Sequence, residues 1–320
     1  MLKIAIIGCY YGNFPVWIQY WLKSCSTNPA IDFFLVTDIE LNNIPNNVYI
    51  IPYSLVEVKQ LAERKLGISV SLNTPYKLCD LKPCYGLVFE DFLKKYDYWG
   101  HCDFDLIWGD ILGFVSRYHI EKYEKFLPLG HLSLYKNTTE VNNRFRLSGS
   151  NCGSFKEVFA NDEGHAFDEI DGIYSIYLKH GFSMFCKRIF AEIKTYHKRF
   201  KLKFIDKNYR HQVFFFKDGK VMRAFEENGL IKYQEFIYIH FRRQLQANDR
   251  SWEELDDFYI SNNGFEKLQS IPSSIVEIEK HNKNPGGWVE FIETFSFIIK
   301  NLFKIKTKIE NELLSFKQKI

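Results

Sequence analysis

Short, continuous apolar runs that end at glycine or a polar residue recur through the early part of the chain. Lys3 to Gly8 (KIAIIG), Asp32 to Asp38 (DFFLVTD) and Val48 to Tyr53 (VYIIPY) have the look of parallel strands buried on both faces, where no polar alternation is expected. Phe14 to Ser24 reads as a helix between the first two. Ser54-Leu55-Val56-Glu57 is a capping box, so a helix opens there, runs to Leu66 and stops at Gly67. After Pro83, the residues Tyr85, Val88, Phe89, Phe92 and Leu93 fall at helical spacing and deliver the chain to a further apolar run, Tyr98 to Trp108. Strand alternating with helix over residues 1–115 predicts an α/β sheet with ligands at the carboxyl ends of its strands.

The pattern then changes. Asn137 to Ser154 is polar and glycine-containing and reads as a loop, either a lid or a surface excursion. Phe236 to Phe241 (FIYIHF) is another strand, ending at Arg242 and Arg243. Lys187 to Lys203 is basic with aromatics interleaved, either a solvated helix face or a surface for lipid phosphate. From Trp288, the residues Phe291, Phe295, Ile298, Ile299, Leu302, Ile305, Ile309 and Leu313 form one helical stripe, with lysines 300, 304, 306, 308, 317 and 319 along its latter half. Such a helix either lies in an anionic membrane interface or packs on the body of the protein. These shifts divide the chain into 1–245, with halves of about 1–115 and 116–245, and a helical extension over 246–320.

Composition narrows the classes without choosing one. A hydrophobic content of 46% and a charged content of 25% are globular values, and a net charge of +3 is too small to argue for nucleic acid. The 7 cysteines contain no C-x-x-C pair and read as reduced thiols, so neither a disulfide framework nor a zinc ribbon is indicated. Ile4 to Ile7 is too short for a signal segment, and no stretch approaches the length of a membrane span. The expectation is a cytoplasmic enzyme.

The chemistry gathers at Tyr98 to Asp110 (YWGHCDFDLIWGD). Asp103 and Asp105, spaced i and i+2 at a strand end, suit a hard divalent cation, Mn²⁺ or Mg²⁺, that shares its remaining positions with phosphate oxygens. Lys77, Asp80 and Lys82 precede a helix that begins at a proline, where a helix N-terminus and lysines favour an anion and Asp80 can take sugar hydroxyls. His240, followed by Arg242 and Arg243, is a candidate metal ligand or diphosphate contact. His101 is a candidate to orient a carboxylate, and His131 a candidate sugar contact.

The segments YKLCDLKPCYG (76–86), YWGHCDFDLIWGD (98–110), LGHLSLYKN (129–137), FDE (167–169) and YIHF (238–241), with YYGNFPVW and SCSTNPAIDFFLVTD before them, resemble a family of bacterial glycosyltransferase-like proteins encoded among capsule and surface-polysaccharide genes. The resemblance covers about residues 1–245. It implies a GT-A-like nucleotide-diphospho-sugar transferase: a mixed central sheet flanked by helices, followed here by the C-terminal amphipathic helical segment. Asp103 and Asp105 resemble the metal motif, and Asp38 the residue at the end of the second strand that meets the nucleoside. Lys77, Asp80 and Lys82 resemble the donor-side motif, His240 the late histidine that returns to the metal or diphosphate, and Asp168 and Glu169 the acidic pair facing the acceptor. The implied reaction moves a hexose from a UDP-sugar, UDP-galactose or UDP-glucose first, to a lipid-linked oligosaccharide at the inner face of the membrane. Gly109-Asp110 after the Asp-x-Asp is similar to retaining hexosyltransferases.

Of three rival readings, a dinucleotide-dependent oxidoreductase is the one the sequence opposes. Gly8 and Gly12 are separated by Cys-Tyr-Tyr, which is not the dinucleotide fingerprint. A metal-dependent phosphatase or nuclease also uses paired carboxylates, although in the haloacid-dehalogenase type they follow the first strand. The third rival is a catalytically degenerate sugar-binding component of a polysaccharide assembly complex.

Overall fold

The computed structural model describes residues 2–195, 197–203, 207–242, 245–248 and 250–299. Strands β1 (Ile4–Cys9), β2 (Ile31–Val36), β3 (Val48–Ile51) and β4 (Tyr98–Cys102) are parallel in the order β3-β2-β1-β4, with Ile4 opposite both Ile31 and Tyr98. After β5 (Leu106–Trp108), strands β6 (Lys125–Phe126), β7 (Leu132–Lys136) and β8 (Met184–Phe185) complete this sheet, with β7 antiparallel to both β4 and β6 and β8 parallel to β6. The result is a mixed central sheet. Helices α1 (Ile18–Ser26) and α2 (Leu55–Leu66) cover its two faces.

The apolar run in β1 explains that layering. Ile4 and Ile6 pack with Trp21, Leu22 and Cys25 of α1, while Ala5 and Ile7 pack with Val58, Leu61 and Ala62 of α2. Successive side chains leave a strand on opposite faces, so a strand buried on both sides must be apolar at every position. Each buried isoleucine contributes about 1.5–3 kcal/mol. The Ser54/Glu57 capping box opens α2, and Gly67 closes it with a left-handed φ of 70°.

Three further strands join β5 to the rest of the chain. β9 (Ala191–Glu192) runs parallel to β13 (Tyr238–His240), which is antiparallel to β5, giving the order β5-β13-β9. Strands β10 (Gln212–Lys217), β11 (Lys220–Glu227), β12 (Leu230–Phe236), β14 (Phe258–Ser261) and β15 (Gly264–Lys267) form an antiparallel sheet in the order β12-β11-β10-β14-β15. Phe214, Phe216, Phe258 and Phe265 pack there against Tyr20 of α1 and Ile107 of β5.

Several elements differ from the sequence reading. α1 begins at Ile18 because Phe14 precedes Pro15, which disfavours a helical backbone there, and the Phe14 ring stacks on Tyr10 instead. Residues 75–93 are a chain of short helical turns, so Lys77 and Lys82 sit within it and not ahead of a single helix. The proposed loop at 137–154 is fastened: Thr139–Asn142 and Arg144–Arg146 are helical turns, Val141 and Phe145 join the core, and Trp99 Nε1 donates to Asn142 Oδ1 at 2.7 Å. The basic run 187–203 contains no helix among its described residues, and Tyr196 lies outside them. Within 246–320, Phe258–Ser261 and Gly264–Lys267 are strands, and helix appears at Ile275–His281 and at residues 287–299. The stripe positions from Leu302 to Leu313 and all six of its lysines lie outside the described residues, as does Arg243. The seven cysteines are free thiols, with Cys186 the exposed one.

Candidate functional site

Asp103 and Asp105 flank Phe104 in the turn between β4 and β5, and the burial of Phe104 fixes them both. Its ring lies across β1 so closely that a Cβ at Gly8 would fall 2.6 Å from Phe104 Cζ. Tyr10 meets the ring edge-on at 5.1 Å, Trp21 packs at 5.1 Å, and Trp17 Nε1 donates to the Phe104 carbonyl at 3.1 Å. The glycine that ends the first apolar run therefore makes room for the aromatic between the two aspartates.

Strand pairing brings the late residues in. β13 sets His240 opposite Leu106, next to Asp105, and His240 Nε2 lies 3.2 Å from Asp105 Oδ1. Burial would raise the Asp105 carboxyl, but the hydrogen bond and charge of His240 outweigh it and hold the carboxyl below its ordinary range. On its other side β13 sets His240 opposite Glu192. His131 packs its ring 4.5 Å from that of His240, and its Nδ1 shares a hydrogen bond with Tyr238 Oη at 2.7 Å. Burial pushes the His131 imidazole well below its ordinary pKa, so it is neutral. Among the described residues, His131 Nε2 and His240 Nδ1 are buried without a hydrogen-bond partner.

Among the described residues, two groups of side chains bring ligand atoms within 4.8 Å of one another, Asp103/Asp105/His240 and His131/Glu192/His240. Their electrostatics separate them. The first is bordered by Asp168 and Glu169, with Lys82 as the cation among these four carboxylates. In the second, Glu192 Oε1 accepts from Lys203 at 2.9 Å and Arg242 at 3.0 Å, and Arg188 Nη2 lies 3.4 Å from Oε2. A unit charge at 4 Å and an effective dielectric of about 20 is worth about 4 kcal/mol, so the first group attracts a cation and the second an anion. Two carboxylate oxygens and one imidazole nitrogen fit Mn²⁺ or Mg²⁺, the imidazole favouring Mn²⁺.

Lys82 ties the acidic side together. Its ammonium donates to Asp103 Oδ1 at 2.6 Å, Asp168 Oδ2 at 2.9 Å and the Gly130 carbonyl at 3.0 Å. Burial alone would lower its pKa, but Asp103 and Asp168 hold it well above the ordinary value, so it stays charged. Gly130 has no room for a side chain: a Cβ would stand 2.2 Å from Asp168 Oδ2. Burial raises the Glu169 carboxyl, with Asp168 adding to the effect.

Not every candidate is free to meet a ligand: Asp80 lines the same cavity as the aspartates, but its carboxylate is already engaged. Lys77 is 1% exposed and spends its three protons on Asp80 (2.8 Å), the Val158 carbonyl (2.7 Å) and the Glu163 carbonyl (2.6 Å). Asp80 accepts in turn from the backbone N–H groups of His165 and Phe167. The pair anchors the segment that carries Asp168, and its hydrogen-bonding capacity is consumed there. Asp38 is exposed beyond the end of β2 and does not line the cavity. His101 is fully buried in β4 and bonds neither aspartate. Asp110 caps the helix Ile111–Arg117 through Gly113 N at 2.8 Å.

Asp103, Asp105, Lys82, Asp168 and Glu169 line one cavity of about 1210 Å³ with His131, His240 and Arg242. Arg188, Glu192 and Lys203 line it too; the sequence reading held Arg188 and Lys203 only as part of a basic run for lipid phosphate or a solvated face, and did not single out Glu192. Glu192 carried one signal, as the single acid between Lys187 and Lys203.

Residues 6–269 match the family described as Family of unknown function (DUF6625). The chain belongs to DUF6625. No curated protein matches it by sequence. Solved structures similar to this DUF6625 chain include apo mouse xyloside xylosyltransferase 1, at 6% identity and a TM-score of 0.38, covering 61% of this chain and 89% of that one. The galactosyltransferase LgtC in complex with donor and acceptor sugar analogs is similar at 11% identity and a TM-score of 0.32, covering 59% and 75%. Apo GlyE, a glycosyltransferase of Streptococcus pneumoniae TIGR4, is similar at 14% identity and a TM-score of 0.31, covering 57% and 45%. At these scores the likeness carries no functional argument.

Proposed function

We propose that this protein is a metal-dependent glycosyltransferase that moves a hexose from a UDP-sugar to a lipid-linked oligosaccharide in bacterial capsule or surface-polysaccharide synthesis, working at the inner face of the cell membrane. The observation that carries the reading is one cavity with a cation-seeking wall, Asp103, Asp105 and His240, beside an anion-seeking wall, Arg188, Lys203 and Arg242. A metal-bound diphosphate needs both. The choice of UDP-galactose or UDP-glucose, and of the acceptor, rests on the resemblance carried by the segments at 76–86, 98–110 and 238–241.

Asp103, Asp105 and His240 would hold Mn²⁺ or Mg²⁺, which when bound offsets charge on a departing diphosphate. Arg242, Lys203 and Arg188 donate charge-assisted hydrogen bonds to its oxygens, where negative charge grows as the glycosidic bond to phosphate breaks. Lys82 fixes Asp103 and Asp168 through its hydrogen bonds without leaving the acidic wall. Asp168, held by Lys82, and Glu169 face the hydroxyl of the acceptor. With Asp168 so engaged the reading is retention, the acceptor proton passing to the leaving diphosphate.

The test is a panel of nucleotide sugars scored for metal-dependent release of free nucleotide. UDP-hexose turnover stimulated by acceptor and abolished by a chelator is expected. Release at the same rate with and without acceptor would point to a hydrolase, and turnover confined to GDP- or CMP-linked donors would contradict the UDP assignment.

A further inference from the structure

The helix at residues 287–299 is amphipathic in the opposite sense from an ordinary surface helix, which hides its apolar stripe and solvates its charges. Here the acids face the body. Glu290 pairs with Lys201 at 2.7 Å and Arg199 at 3.1 Å, and Glu293 meets His197 at 3.1 Å. The outer face carries Trp288 (74% exposed), Phe291 (57%), Ile292 (50%), Phe295 (54%) and Ile298 (48%), at helical spacing. Trp288 stacks on Phe291 and Phe291 on Phe295, at 5.6 and 6.1 Å, so the face is one continuous strip. A patch of this kind marks an interaction surface.

We propose that this face docks the enzyme on an anionic phospholipid bilayer. Charge complementarity selects that occupant: the sequence that follows adds Lys300, Lys304, Lys306 and Lys308 before the next acid, Glu310. Basic residues next to an apolar, tryptophan-bearing face are the combination that holds a helix in a negatively charged interface. The salt bridges of Glu290 and Glu293 fix which face is presented. Among the described residues no helix is long and apolar enough to cross a membrane, so the contact is peripheral. The proposal does not depend on the reaction in the cavity.

Flotation of the full-length protein with phosphatidylcholine vesicles, with and without phosphatidylglycerol, tests it, alongside Trp288 fluorescence. Binding to the anionic vesicles, weakened by salt and accompanied by a blue shift of the exposed tryptophan, is expected. The double variant Phe291→Ser/Phe295→Ser should lose at least about tenfold in vesicle affinity with its circular dichroism and melting temperature unchanged, because the Glu290 and Glu293 contacts remain. Equal binding by both proteins, no binding by wild type, or sedimentation of wild type as a dimer without vesicle binding would each overturn the proposal. The last result would assign the face to a second copy of this chain.

Discussion

Lys77, Lys82 and Lys125 are all buried, and the surroundings of each ammonium decide what it does. Lys77 is a structural post. Lys77→Met leaves the Asp80 carboxylate buried without its cation and should cost about 3 kcal/mol in chemical denaturation, the scale for breaking a buried pair, with the metal affinity of the folded protein retained. Lys125 donates to the Leu127 carbonyl and to Ser133 Oγ but has no carboxylate partner among the described residues, and burial lowers its pKa from 10.5 to about 7. The sign follows from proton counting. Between those two values the unfolded chain binds a proton that the folded chain does not, so this residue makes stability rise with pH across that window. Wild type should gain relative to Lys125→Met by up to about 1.4 kcal/mol per pH unit from pH 7 to 9. Parallel stability profiles for the two proteins would show that Lys125 keeps its proton when buried.

The turn bearing Asp103 and Asp105 depends on Gly8, two strands away in sequence but in contact through the Phe104 ring. Gly8→Ala drives a methyl into that ring, so Mn²⁺ affinity should fall by an order of magnitude or more and stability by about 1–3 kcal/mol. Adding Phe104→Leu should recover part of both losses; strictly additive effects would remove Phe104 as the link. Local signals made the supporting elements legible in the sequence: the Ser54 capping box, the Gly67 stop and the apolar runs of β1 to β3 each act within a few residues. The Asp-x-Asp pair was legible for the same reason, as a strand-end pattern. The meeting of Asp105, His240 and Glu192 is set by β13 pairing with both β5 and β9, contacts far apart in sequence that no local pattern encodes. Lys77 and Lys82 carry identical local signals, and only their burial partners separate a post from a member of the acidic wall.

Across the whole molecule, opposed charge on the walls of one cavity links the metal motif to the cationic residues around Glu192. A ligand that binds the folded form at 100 times its dissociation constant stabilises it by about 2.7 kcal/mol. UDP with Mn²⁺ should therefore raise the melting temperature by several degrees, more than UDP with a chelator, and Arg242→Ala should shrink the gain without shifting the unliganded melting temperature. A full shift in the Arg242 variant would dissociate the cationic wall from the diphosphate. The central claim is that Asp103, Asp105 and His240 hold the cation that holds the nucleotide. Calorimetric titration of UDP with and without Mn²⁺, on wild type, Asp105→Asn and His240→Ala, tests it most directly: the account predicts metal-dependent affinity in wild type that both variants lose while remaining folded, and equal, metal-stimulated affinity in all three proteins would contradict it.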